Sequence, residues 1–214
     1  MGNHQKIKIL AMGDSLTKGY TNHGQTHNPY TLKLSEYLNK KFKKIKFEIE
    51  NKGISGEQCK DMPIRFEKIM SENDYHFVII LGGTNDLAYG RSHEDILKDI
   101  INLHQIALSS KNLVKSIAVS IPQCLFDERN EKIFEIKKIV NKEIFNFSQK
   151  EEKVEFFDLF NLIPFSLSEK ELMSFWDKDG LHFSSLGYDH FGKLLFDFLE
   201  EIIFNYLEKL KKEK

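Results

Sequence analysis

The six residues His76–Leu81, HFVIIL, leave this chain the fewest choices. After His76 the run is apolar and rich in β-branched residues, and it shows no polar face. A strand of this kind must be covered on both sides, as in the middle of a parallel sheet. Parallel strands are joined by crossovers, usually helical, so helices should alternate with strands along the chain.

They do. IKILAM (7–12), IKFEIE (45–50), VKSIAVSIP (114–122, stopped by Pro122) and KVEFFDLF (153–160) read as four more strands. IKFEIE alternates strictly, which predicts one exposed face. Between the strands lie amphipathic stretches. The first has Asn28 as expected N-cap, Pro29 at the first helical position, and Tyr30, Leu34, Leu38 and Phe42 on one stripe. The second, GEQCKDMPIRFEKIM, should break at Pro63. A third carries Ile96, Ile100, Leu103 and Ala107 behind a capping box of Ser92 and Asp95. A fourth spans 131–149, with Ile133, Ile136, Val140, Ile144 and Phe147 at helical spacing. The last runs from Ser185 to Leu207, with Phe191, Leu195, Phe198 and Ile202 inward, and residues 208–214 should fray.

The pattern predicts an α/β fold, a five-stranded parallel sheet with helices on both faces. At 214 residues and 41% hydrophobic, the chain suits one domain over 1–214, with its core within about 7–207. A net charge of −1 carries no nucleic-acid footprint, and the lysine cluster at 40–47 reads as a helix end entering a strand. Cys59 and Cys124 lack metal-ligand spacing and read as reduced, partly buried thiols. No apolar run approaches a membrane span, MGNHQKIKIL lacks a signal-peptide core, and Lys6 spoils a myristoylation motif at Gly2. A soluble, cytoplasmic protein without membrane insertion is expected. Its oligomeric state is not legible here.

In a parallel sheet the site lies at the carboxyl ends of the strands. Four unusual stretches fall there: GDSL with Ser15, NKGISGE with Gly53 and Gly56, GGTND with Asn85 and Asp86, and DKDGLHFSSLGY with Asp179 and His182. Singly, each has an ordinary reading as a cap, turn or strand-to-helix link. Together they form a chemical set. A serine hydroxyl needs a base, an imidazole is the usual one, and a carboxylate fixes its tautomer. Asp179 and His182, three apart, can meet across one turn. The Ser15 N–H, the Gly53 N–H and the Asn85 side-chain amide are then candidate donors to a developing oxyanion.

These stretches, in this order, resemble the SGNH hydrolases, also called the GDSL esterase/lipase family, over residues 7 to about 200. The resemblance implies a three-layer α/β/α flavodoxin-like sandwich. It also implies Ser15 as nucleophile, His182 as general base, Asp179 as its partner, and Ser15, Gly53 and Asn85 as the oxyanion hole. No metal or organic cofactor is expected. Thr17 breaks the G-x-S-x-G motif of the α/β-hydrolases.

Asp14 and Asp86 are expected to bond loop N–H groups rather than move protons. Cys124 lacks an attached His/Asp pair, and His23 and His27 lack an acidic third ligand, so neither is assigned chemistry. Tyr89, Leu125, Phe126 and Trp176 are expected to line the substrate pocket, because they are apolar residues on loops at the site edge. The stretch 162–176 reads equally as a lid or as a loop packed on the core. The expected activity is hydrolysis of small or medium acyl esters through an acyl-enzyme. The alternatives are a thioesterase, a lysophospholipase, a carbohydrate O-deacetylase, a transferase, or an inactive binding protein on the same fold.

Overall fold

The computed structural model of the protein describes residues 5–212. Gly2, on which the lipidation reading turns, lies outside the described residues.

Five strands, β1 (Gln5–Gly13), β4 (Ile45–Gly53), β5 (Phe77–Leu81), β6 (Lys115–Val119) and β7 (Val154–Phe157), form one sheet in the order β4-β1-β5-β6-β7. Every pairing in it is parallel. Side chains alternate across a strand, so each strand feeds two cores. Ile7, Ile9 and Ala11 of β1 and Phe77, Ile79 and Leu81 of β5 point to one face. There they meet Tyr30, Leu34 and Leu38 of α2 (Tyr30–Lys41) and Phe191, Leu195, Leu199 and Ile203 of α10 (Ser185–Lys212). Leu10, Met12, Val78 and Ile80 point to the other face. Their partners come from α3 (Pro63–Glu72), α5 (His93–Leu108) and α7 (Glu131–Ser148). All five β5 side chains are buried, as HFVIIL requires, and truncating one to Ala costs about 2–5 kcal/mol.

Pro63 opens α3 after a short 3-10 turn at Cys59–Asp61, as its missing N–H demands. The Ser92 hydroxyl accepts from Asp95 N–H at 3.2 Å and caps α5. Asn28 does not cap α2. Its side-chain amide donates instead to the Ser185 carbonyl (2.9 Å) and Asp189 (3.1 Å), tying α2 to the start of α10. β7 is shorter than KVEFFDLF suggests, because Asp158 ends it and caps α8 (Leu159–Leu162). The tail expected to fray is helical through Lys212. Phe198 and Ile202 are only partly buried, and the buried stripe of α10 continues through Leu199, Ile203 and Leu207.

One unforeseen element is a small antiparallel hairpin of β2 (Tyr20–Thr21) and β3 (Thr26–His27). It follows α1 (Ser15–Lys18) directly. Asn22 and His23 both have positive φ, 51° and 54°. The Asp177 carboxylate holds this bend, accepting from the Thr21 hydroxyl at 2.9 Å and from Asn22 N–H.

The order of the sheet reverses direction at β1. The chain goes from β1 to β4 on one side, then returns past β1 to β5. Ligands of open α/β sheets bind at such a switch point, beyond the carboxyl ends of the strands. Ser15 follows β1, and α4 (Thr84–Ala88), which carries Asn85, follows β5.

Candidate active site

Ser15 opens α1, separated from the end of β1 by Asp14 alone. The Asp14 carboxylate caps this helix by accepting from Leu16 N–H at 2.9 Å. Ser15 N–H, at the first helical position, has no acceptor within the helix. Ser15 is buried, 8% exposed.

His182 Nε2 lies 2.9 Å from Ser15 Oγ, and His182 Nδ1 lies 2.8 Å from Asp179 Oδ2. The other oxygen of Asp179 accepts from Leu181 N–H and His182 N–H, each at 2.9 Å. One carboxylate therefore folds the turn and orients the ring. Burial alone would raise its pKa, but the His182 ring and the two N–H groups outweigh burial and lower it to about 2. Tyr20 lies against the imidazole, with ring centroids 4.4 Å apart and a 39° tilt.

The Asn85 amide donates to the Glu57 carbonyl at 2.9 Å and makes a longer contact, 3.4 Å, with Asp14 Oδ2. Asp14 is fully buried. Burial raises its carboxyl to about 7, against the lowering effects of the Leu16 N–H and His182. Asp86, also fully buried, accepts from Cys59 N–H at 3.0 Å and pairs with Arg91. Asp14 thus bonds an N–H of α1, and Asp86 one of the 3-10 turn at Cys59–Asp61.

Gly53 is placed differently from the expectation. It ends β4 beside Gly13, and its N–H is taken by the Asn51 side-chain oxygen at 3.0 Å. A Cβ there would stand 2.2 Å from the Lys18 backbone nitrogen, so its missing side chain serves close packing rather than substrate approach. Three residues later the chain turns, with Glu57 N–H donating to the Ile54 carbonyl at 3.3 Å. Gly56 sits in this turn at φ 80°, exposed, with nothing within 4 Å of a Cβ position. Its N–H lies in the turn whose last carbonyl receives the Asn85 amide. The sequence signal for it is the Ser-Gly pair in NKGISGE, since a turn with positive φ at its third residue selects Gly.

A cavity of about 310 Å³ adjoins the site. Asn85, Leu87 and Ala88 of α4 line it, with Phe126 of α6 (Leu125–Arg129), Ile133 and Leu181. One wall holds an ion pair of Lys137 and Asp127, both nearly buried, with Lys137 also donating to the Pro122 carbonyl at 2.8 Å. Cys124 lines the cavity too. Burial raises its thiol pKa, and both cysteines are free and buried. Of the four expected pocket residues, Phe126 lines this cavity. Leu125, packed against Gly180, and Tyr89, 73% exposed, do not. Trp176 is core: it is buried between Phe165 and Phe183, with its indole N–H directed at the Pro164 carbonyl. The stretch 162–176 is anchored by buried Ile163, Phe165 and Trp176, while Leu162 and Leu167 stay exposed.

Among the described residues, no group of three His, Cys, Asp or Glu side chains is placed to hold a metal ion. None of the described helices is long and apolar enough to cross a membrane.

The profile of the GDSL-like Lipase/Acylhydrolase family matches residues 11–190. Among solved structures, a carbohydrate acetylesterase family member from Sinorhizobium meliloti superposes with a TM-score of 0.73 at 14% identity, covering 92% of this chain and 98% of that one. The lipase/acylhydrolase from Enterococcus faecalis gives 0.71 at 22% identity, over 91% and 96%. The psychrotrophic esterase EstA from Pseudoalteromonas gives 0.70 at 15% identity, over 92% and 98%. No curated protein matches by sequence.

Proposed function

The chain belongs to the GDSL-like lipase/acylhydrolase family, and from that premise we propose that it is a serine esterase acting on small or medium acyl esters through an acyl-enzyme. The observation that carries the reading is the unbroken line of short contacts from Ser15 Oγ through His182 to Asp179. Neutral His182 takes the Ser15 proton at Nε2 as Oγ attacks the ester carbonyl. Asp179 keeps the other ring proton on Nδ1 and offsets the positive charge that the ring acquires. The oxyanion accepts hydrogen bonds from Ser15 N–H, the Asn85 amide and Gly56 N–H, with Gly56 taking the role first expected of Gly53. His182 then protonates the leaving alcohol, and the same ring activates the water that releases the acid.

The acyl group enters the cavity beside Asn85 in this reading. Its volume, about 310 Å³, lies at the low end of small-molecule pockets, roughly 300–1,000 Å³, which favours short and medium chains. The relatives' activities, from carbohydrate acetyl esters to lipids, define the substrates worth testing. The test is a panel of p-nitrophenyl esters of increasing chain length, run beside acetylated sugars and acyl-CoA. Ser15→Ala should abolish turnover and labelling by a fluorophosphonate. Wild-type rates in that variant would end the serine mechanism.

A further inference from the structure

Arg65 lies on α3, outside the chemical set, yet its guanidinium reaches three parts of the site. Nε donates to Glu57 Oε1 at 2.7 Å, and Nη2 completes a two-pronged pair with Oε2. Nη1 donates to the Lys52 carbonyl at 2.9 Å, at the end of β4. Nη2 also reaches the Gly13 carbonyl at 3.3 Å, two residues before Ser15. Glu57 is the residue whose own carbonyl receives the Asn85 amide. One planar fork therefore joins the nucleophile loop, the end of β4 and the turn that holds Gly56.

We propose that Arg65 is a positioning residue for the reaction: through Glu57 it fixes the Gly56 turn and the Asn85 amide relative to Ser15. This rests on the esterase reading above. Two physical effects support it. The first is geometric. Arg has several donors in a rigid plane, and a lysine ammonium is a single point that cannot span three carbonyl and carboxylate partners in that arrangement. The second is electrostatic. The Glu57 side chain is 9% exposed, and its charge is felt at Asp14, where it opposes ionisation. Without Arg65 that uncompensated carboxylate would stand beside the place where the oxyanion forms. Both effects act mainly in the transition state, where charge has moved onto the carbonyl oxygen, so the loss belongs in kcat rather than KM.

The experiment compares wild type, Arg65→Lys, Arg65→Met, Glu57→Gln and the double variant Arg65→Met/Glu57→Gln. It measures kcat and KM for p-nitrophenyl butyrate, inhibition by butylboronic acid, and Tm. Boronic acid forms a tetrahedral, negatively charged adduct with the serine, so it reads the oxyanion site. The expected result for Arg65→Met is a kcat lower by about 10–100-fold, below the ~10²–10³ of losing a donor outright, with KM changed less than about threefold. The boronate inhibition constant should rise in parallel. Arg65→Lys should recover little. The double variant should regain part of the loss, because removing the Glu57 charge removes the electrostatic component. If the Arg65 variants lower Tm while the folded enzyme keeps wild-type kcat and boronate affinity, the arginine is only structural and the proposal fails. It also fails if kcat and KM change together. Should Arg65→Met not fold, Glu57→Gln decides alone: wild-type kcat and boronate affinity there overturn the proposal. Ser15→Ala run alongside keeps the two readings apart, since retained activity in it would overturn the esterase mechanism itself.

Discussion

Replacing Asp179 by asparagine separates its two jobs. Asn keeps an oxygen for the Leu181 and His182 N–H groups, so the turn persists. What changes is the partner of His182 Nδ1, now 2.8 Å from an amide nitrogen instead of a carboxylate oxygen. That N–H donates to Nδ1 and drives the ring proton to Nε2, which faces Ser15 Oγ at 2.9 Å and can no longer accept. Two costs then add in the transition state. The carboxyl is lowered from 3.8 to about 2 by three hydrogen bonds together. At about 1.4 kcal/mol per tenfold, the share of the ring is on the order of 1 kcal/mol. Returning the ring to the productive tautomer would set two N–H groups face to face in a nearly buried site, about 1–3 kcal/mol. The sum, about 2–4 kcal/mol, corresponds to a fall in kcat/KM of roughly 30- to 1,000-fold. Hydrolysis of p-nitrophenyl acetate, normalised to folded enzyme by circular dichroism, measures it. Asp179→Ala should lose a similar rate and also several degrees of Tm, since the turn loses its acceptor. An Asp179→Asn enzyme within threefold of wild type would refute the tautomer argument.

Two other outcomes follow from the same geometry. His104 is fully buried in the core, with Nδ1 2.8 Å from the Ser116 hydroxyl, and burial lowers its pKa from 6.5 to about 3. The unfolded chain takes up this proton as pH falls through 6.5 while the folded protein does not, so stability drops, by roughly 2 kcal/mol between pH 6.5 and 4.5. In urea melts, the stability advantage of wild type over His104→Asn should shrink by that amount across the range; a constant difference would contradict the assignment. Ala88→Trp should fill the cavity beside Asn85, lowering the octanoate-to-acetate rate ratio at least about tenfold while acetate hydrolysis stays within threefold. An unchanged ratio would move the acyl site elsewhere.

Much of this was legible before any coordinates, and the boundary of legibility is physical. HFVIIL could only be a central strand, because period and polarity are local properties of a sequence. That Ser15, Asp179 and His182 would meet, with Asn85 at the same end of the sheet, was legible because each follows a strand or shares one turn, and such placements survive folding unchanged. Gly53 and Gly56 are three residues apart and look alike as letters. They differ in what folding does to each: β4 stays paired with β1 to Gly13 and Gly53, and there the Asn51 side chain takes the Gly53 N–H. Trp176 and Tyr89 fail for a related reason. An aromatic residue on a loop turns inward or outward according to what lies beneath it, and Phe165 and Phe183 lie beneath Trp176. Lys137 was invisible as a buried cation because its partner, Asp127, comes from the preceding helix.

The distances along the chain within the proposed machinery are very unequal. Asp179 and His182 are three residues apart and share one turn, whereas Ser15 is 167 residues from His182. The acid–base pair costs little loop-closure entropy, but the contact that makes it useful joins the first strand to the approach of the last helix. During synthesis the serine emerges early and stays idle. Under the proposed mechanism, hydrolytic competence arrives abruptly, when the carboxyl-terminal segment docks and closes a loop that spans most of the chain. Esterase activity in this protein would therefore report completed folding, silent in every fragment that lacks either the Ser15 or the His182 segment.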